Sequence, residues 1–205
     1  ANIPVETVED VVVGCAFPEG PQGMLMARSI SVLADLPIES GAKVVNRFCG
    51  SSMDSVHQLS QAILAGDIDA GIAGGVEDMF GVPMGGFNPS FNPELYEKEF
   101  YIGMGETAEI LAKDLDISRE DQEAFAVKSH EKALAAIEGG RYDNEIIPAQ
   151  VNGTEVSKDE GPRTPDLDKI KSLDPAFDAD GTITAATSSP ISVGAAAALI
   201  MSGDK

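Results

Sequence analysis

Val44-Val45-Asn46-Arg47-Phe48-Cys49-Gly50-Ser51-Ser52-Met53-Asp54-Ser55-Val56-His57 joins two unlike patterns. Two β-branched residues run into a Cys-Gly-Ser-Ser turn, and helical spacing follows. Met53, Val56, Leu59 and Ile63 recur at three- and four-residue steps. The spacing predicts a helix over Ser51 to Ala65, with those four on its buried face and Gly66 as its C-terminal cap. Cys49 then stands where a strand ends and a helix begins. Unpaired N–H groups and the positive end of the helix dipole gather there, and both favour a thiolate. Gly50 leaves the backbone room for a ligand to approach. On spacing alone two roles fit Cys49: a small apolar cysteine packed at a strand end, or a nucleophile.

The neighbouring segments repeat the same rhythm. Val11-Val12-Val13 is a continuous β-branched run ending at Cys15, the mark of a strand covered on both faces. Gly20 and Gly23 make a loop, and Met24 to Leu36 reads as a helix stopped by Pro37. Strand, helix, strand, helix, strand to Ala73 predicts a doubly wound α/β sheet. Between Gly74 and Gly103 the periodicity breaks, with Pro83, Pro89 and Pro93 close together. Two helices are expected next, Glu106 to Leu115 and one capped by Ser118 with Asp121 three residues on. Phe125, Leu134 and Ile137 are expected on the buried side of the second, which Gly139-Gly140 ends. Ile146 to Val151, Thr182 to Ala185 and Ala195 to Met201 read as strands, and Asn152 to Pro165 as loop.

Composition narrows the class. The 205 residues suffice for one sizeable core or two subdomains. Hydrophobic content of 43% with 5% aromatic and no Trp suits an Ala/Gly/Val-rich α/β protein. A net charge of −20 argues against nucleic acid and anionic membrane as partners. The five Arg and nine Lys form no run, so the acidity reads as a solvated surface. Cys15 and Cys49 show neither a disulfide framework nor metal-ligand spacing, which predicts no metal site and a reduced, cytoplasmic setting. No charged-then-apolar leader opens the sequence, and Ala195 to Met201 is too short to span a bilayer. Cys15 is expected to pack in the core.

The longer strings around Cys49 resemble a known family. Asn46-Arg47-Phe48-Cys49-Gly50-Ser51-Ser52-Met53, followed by Ala70-Gly71-Ile72-Ala73-Gly74-Gly75-Val76-Glu77-Asp78-Met79, is similar to the thiolases, nearest their fatty-acid-degrading 3-ketoacyl-CoA branch. Met104-Gly105-Glu106-Thr107-Ala108-Glu109, Ser118 to Ala126, and Thr184-Ala185-Ala186-Thr187-Ser188-Ser189 continue the likeness in family order. The resemblance implies a layered α/β core with a mixed, largely parallel sheet between helices. It also implies a division into residues 1–80 (core, its first strand and helix missing), 81–180 (an inserted loop domain that cradles CoA) and 181–205 (return to the core sheet).

By the same resemblance Cys49 matches the acyl-accepting cysteine, Ser189 a position that meets the pantetheine arm of CoA, and Met104 a residue lining the acyl pocket. CoA and acyl-CoA enter as substrates and no bound cofactor is implied. Without the family, Ser189 would be a loop hydroxyl and Met104 a gap-filling core residue. Glu77 reads as a buried hydrogen-bonding acid. His57 lies eight residues beyond Cys49, roughly 12 Å along a helix axis, too far for a base, and His130 reads as structural or solvated. Val193 stands where most relatives carry Asp.

In thiolases the activating His, a second catalytic Cys and the oxyanion-binding Asn come from a second, similar half. No Gly-His-Pro, Cys-x-Gly-Gly or Asn-Glu-Ala-Phe string occurs here. The expectation is therefore the first half of a thiolase, either a fragment or a chain completed by another chain, with little turnover alone and homodimeric or homotetrameric assembly. Degradative thiolysis leads; biosynthetic joining of two acetyl-CoA units and a non-catalytic acyl-CoA- or partner-binding role are the alternatives.

Overall fold

A computed structural model describes residues 3–203. The chain divides into two compact units, one built from residues up to Ser90 together with those from Ile191 onward, the other from Phe91–Pro190.

The first unit is a four-stranded sheet between helices. In chain order it comprises β1 (Asp10–Gly14), α1 (Met26–Leu33), β2 (Gly41–Val45), α2 (Ser51–Ala65), β3 (Ala70–Asp78) and β6 (Val193–Met201). The spatial order is β2-β1-β3-β6. β1 pairs in parallel with β2 and β3, with Asp10 opposite Gly41 and Gly71, while β6 runs antiparallel to β3. The largely parallel, mixed sheet expected from the sequence is the observed one.

The β-branched run of β1 is buried because both of its faces are covered. Val11 and Val13 pack with Val8 and Ala27 of α1, and Val12 packs with Leu59 of α2 and Ala73 of β3. Helix α1 is shorter than predicted, since Met24 and Leu25 take left-handed backbone before it and Asp35 does so after it.

Helix α2 has the predicted limits, and Gly66 caps it in the left-handed conformation. Its buried face is different. Ser51, Ser55 and Leu59 point inward, whereas Met53 is 74% exposed and Val56 is also exposed. The reason lies in the sheet beneath. A Cβ on Gly14 would strike the backbone of Ser51 and Ser52, one on Gly75 would strike the Ser52 side chain, and Leu59 rests on Gly71. Glycine on the sheet brings the helix so close that only small residues fit at its first turns.

The second unit holds α3 (Pro93–Glu97), α4 (Met104–Asp114), α5 (Arg119–Glu138), the strands β4 (Ala149–Val151) and β5 (Thr154–Val156), and α6 (Leu167–Lys171). Ser118 caps α5 as expected, its hydroxyl accepting from the Asp121 N–H at 3.1 Å. Phe125, expected inside, is 77% exposed. The predicted strand Ile146 to Val151 shrinks to β4, which pairs with β5 across Asn152-Gly153 at φ 50° and 79°. Two successive positive φ values make the tight hairpin turn that Asn-Gly favours. Thr182 to Ala185 forms no strand; side-chain hydrogen bonds hold it as a loop. Among the described residues no helix is long and apolar enough to cross a membrane.

Candidate active site

Cys49 is exposed and free, on a sharp elbow between β2 and α2. The elbow is tied by its own residues. The Gly50 N–H donates to the Arg47 carbonyl at 3.0 Å and the Ser51 N–H to the Phe48 carbonyl at 3.0 Å. The Ser51 hydroxyl accepts from the Arg47 N–H at 2.8 Å and donates to the Phe48 carbonyl at 2.6 Å. Phe48, directly before the thiol, takes φ +47°, a conformation that costs a non-glycine residue roughly 1–2 kcal/mol. Asn46 stabilises it. Its Oδ1 accepts the Phe48 N–H at 3.0 Å, and its Nδ2 donates to the Ala16 carbonyl at 2.8 Å. The Phe48 ring also leans on Phe17, with centroids 5.9 Å apart. An Arg47–Asp54 ion pair at 3.3 Å spans the elbow and the first turn of α2.

The loop that receives Asn46 is itself anchored by Glu77. Its carboxylate accepts the Ala16 N–H at 2.7 Å and the Gln22 side-chain amide at 2.9 Å. Gln22 in turn accepts the Asp78 N–H at 2.6 Å. Glu77 is thus the hydrogen-bonding acid expected from the sequence, half-buried where a buried one was expected. Cys15 lies beside it, 1% exposed, its thiol donating to Glu77 at 3.6 Å. Burial pushes the Cys15 thiol up to about 11, the Phe17 backbone N–H works against the shift, and the Glu77 carboxylate adds to it. Of the two thiols, Cys15 is in the core and Cys49 is open to solvent.

In the second unit Met104 opens α4 and is 72% exposed, so it is no core filler. The Gly103 N–H ahead of it donates to the Glu106 carboxylate at 2.8 Å. Gly105 has no room for a Cβ, because the Phe177 ring occupies that space. Ser189 is exposed and lines an open groove of about 700 Å³ with Phe125, Ser129, His130, Gly161 and Ser188. His130 accepts the Arg163 N–H at 3.2 Å through Nδ1. His57 is exposed on α2. Among the described residues no group of three or more His, Cys, Asp or Glu is placed to hold a metal ion. Asn46 and Glu109 are the residues whose part sequence reasoning passed over; both stand inside the strings quoted above, but each reaches a partner 30 or more residues away, Ala16 for Asn46 and Thr182 for Glu109.

A solvent-exposed thiol on a strand–turn–helix elbow stands over the mixed sheet of a layered α/β protein. The chain belongs to the thiolase family: the profile of the thiolase N-terminal domain matches residues 1–204. The 3-ketoacyl-CoA thiolase of Bacillus subtilis is 44% identical over 97% of this chain and 55% of its own length, and that of Alcanivorax borkumensis is 44% identical over 100% and 54%. The crystal structure of Acat5 thiolase from Ascaris suum in complex with coenzyme A superposes with a TM-score of 0.85 at 32% identity, covering 99% of this chain and 56% of that one. The chain spans about half the length of the relatives it matches.

Proposed function

We propose that this chain carries the acyl-accepting half of a 3-ketoacyl-CoA thiolase. The observation that supports it most is the pair of thiols: Cys15 buried and pushed up to about 11, Cys49 exposed on an elbow built by Asn46, Phe48 and Ser51. In this reading the Cys49 thiolate attacks the 3-keto carbon of the substrate. The bond between C2 and C3 breaks, and the departing acetyl-CoA carbanion takes up a proton. The acyl group is left on sulfur, and the thiolate of a second CoA then removes it and regenerates Cys49. Covalent catalysis divides one hard step into two. Met104 lines the acyl pocket and Ser189 meets the pantetheine arm.

CoA and acyl-CoA are the substrates, with no resident cofactor, and the setting is cytoplasmic. The proton-transferring His, the second Cys and the oxyanion-binding Asn belong to a second half, supplied by the same polypeptide or another, and the working unit is a dimer or tetramer. Oxyanion donors contribute about 3–4 kcal/mol of barrier lowering in acyl transfer, so the 205-residue chain alone is expected to turn over little or not at all.

The test is an intact-mass spectrum of the native protein after brief exposure to acetyl-CoA, with peptide mapping. A mass larger than this chain's with one acetyl group on the Cys49 peptide is expected. An unmodified Cys49 peptide in a protein that carries the second half, or an acetyl group on Cys15, would sink the reading.

A further inference from the structure

The loop that carries Ser189 and the helix that begins at Met104 are tied at one point. Glu109, five residues into α4 from Met104, directs its carboxylate at the start of the loop. Its Oε1 and Oε2 accept the Thr182 N–H at 3.1 and 2.9 Å, and Oε1 accepts the Ile183 N–H at 2.8 Å. The Thr182 hydroxyl adds a longer contact at 3.4 Å, while the Gln122 side-chain amide of α5 donates to that hydroxyl at 3.0 Å. Two backbone N–H groups on one carboxylate make the charge-assisted kind of hydrogen bond, stronger than a neutral pair. Gly181 completes the arrangement, since the three atoms nearest to a Cβ built there all belong to the Glu109 carboxyl.

Beyond the anchor the loop is locked by its own hydroxyls. Thr187 Oγ1 accepts the Thr184 N–H at 3.0 Å and donates to the Thr184 carbonyl at 3.2 Å, and the Ser188 hydroxyl donates to the same carbonyl at 2.8 Å. Thr184 is fully buried beneath this knot. These bonds join the segment from Thr182 to Ser188 to itself and, through Glu109, to α4.

We infer that Glu109 is a positioning residue for the CoA thioester: it sets the Ser189 loop against the helix that presents Met104, so that the pantetheine arm and the acyl chain are held in one geometry. The inference rests on the function proposed above. The effect of Glu109 runs through the loop that it anchors.

The experiment is CoA binding to the native protein by calorimetry, in Glu109→Gln and Gly181→Ala. Amide exchange at Thr182 and Ile183 and iodoacetamide alkylation of Cys49 are followed alongside. In Glu109→Gln the side chain keeps its shape but turns an amide toward two N–H donors. Gly181→Ala adds a methyl where the carboxylate sits. Both variants are expected to speed exchange at the two amides about 100-fold and to raise the Kd for CoA about tenfold. Cys49 alkylation should stay within about twofold, since the elbow draws on none of these residues. Combining Gly181→Ala with Glu109→Ala should be no worse than the worse single change, because the methyl then meets nothing.

Released amides with an unchanged Kd for CoA would overturn the inference and leave the proposed function standing. A rise in Kd accompanied by an equal change in Cys49 alkylation would reduce Glu109 to a stability residue and overturn it too. A wild-type protein with no affinity for CoA would remove the function reading itself.

Discussion

Asn46→Ala is the sharpest perturbation of the elbow. It deletes the acceptor of the Phe48 N–H at 3.0 Å and the donor to the Ala16 carbonyl at 2.8 Å. A neutral hydrogen bond contributes about 0.5–1.5 kcal/mol, and an exposed one belongs at the lower end of that range. The two together give about 1–2 kcal/mol. That loss falls on a residue already paying roughly 1–2 kcal/mol for its left-handed backbone, so the two terms are of one size and the elbow becomes conformationally mixed. Urea denaturation should show the midpoint falling at unchanged slope. Amide exchange at Phe48 should quicken about tenfold, the equivalent of about 1.4 kcal/mol. Asn92→Ala is the control: its Oδ1 caps the short helix α3 through the Glu94 N–H at 2.8 Å, and its loss should leave Phe48 unaffected. An Asn46→Ala protein with wild-type midpoint and wild-type exchange at Phe48 would refute the reasoning that Asn46 holds the elbow.

Three further outcomes follow from the first unit. Because the folded protein holds the Cys15 thiol up at about 11 against an ordinary value of 9.0, the unfolded chain releases that proton first; stability is complete below pH 9 and falls as pH rises toward 11. Cys15→Ala should remove that part of the slope in urea titrations at pH 8 and 10.5, and a slope unchanged by the substitution would count against burial as its cause. Gly14→Ala places a methyl against the backbone of Ser51 and Ser52 and is expected to lower stability by about 1–3 kcal/mol and to shift α2; a crystal structure with α2 unmoved at full stability would contradict it. Leu59→Ala, opening a hole between Val12 and Ala73, should cost about 2–5 kcal/mol in the same assay, whereas Met53→Ala on the exposed side should cost under about 0.5 kcal/mol.

The parts of the fold legible in the sequence are those carried by short-range signals. The β-branched run of β1, the cap and stop of α2, the serine cap of α5 and the alternation of strands with helices all depend on neighbours within a few residues. What sequence reading got wrong depends on partners far along the chain. The inward face of α2 is set by Gly14, Gly71 and Gly75 on other elements, so the larger Met53 and Val56 lose to Ser51 and Ser55. Thr182 to Ala185 has strand composition, yet Glu109, more than 70 residues earlier, and Thr187 take its N–H groups as a loop. The β4–β5 turn was the exception, a local Asn-Gly signal outweighed by the polar residues around it. Cys49 was legible as a strand–helix junction and Glu77 as a hydrogen-bonding acid; that Asn46 and Glu77 both hold Ala16 was not, since Ala16 is 30 residues from one and 61 from the other.

The pairing of β3 with β6 has a consequence for synthesis. Asp78 and Val193 are register partners, yet a whole second unit is made between them. At about 5–20 residues per second, the roughly 115 residues between them take about 6–23 s to emerge. Through that interval the nascent sheet has three parallel strands, and the outer backbone edge of β3, which β6 later takes, is unpaired. Slow codons or a bound chaperone placed just after Asp78 would therefore act on the same vulnerable edge, one by prolonging its exposure and the other by covering it.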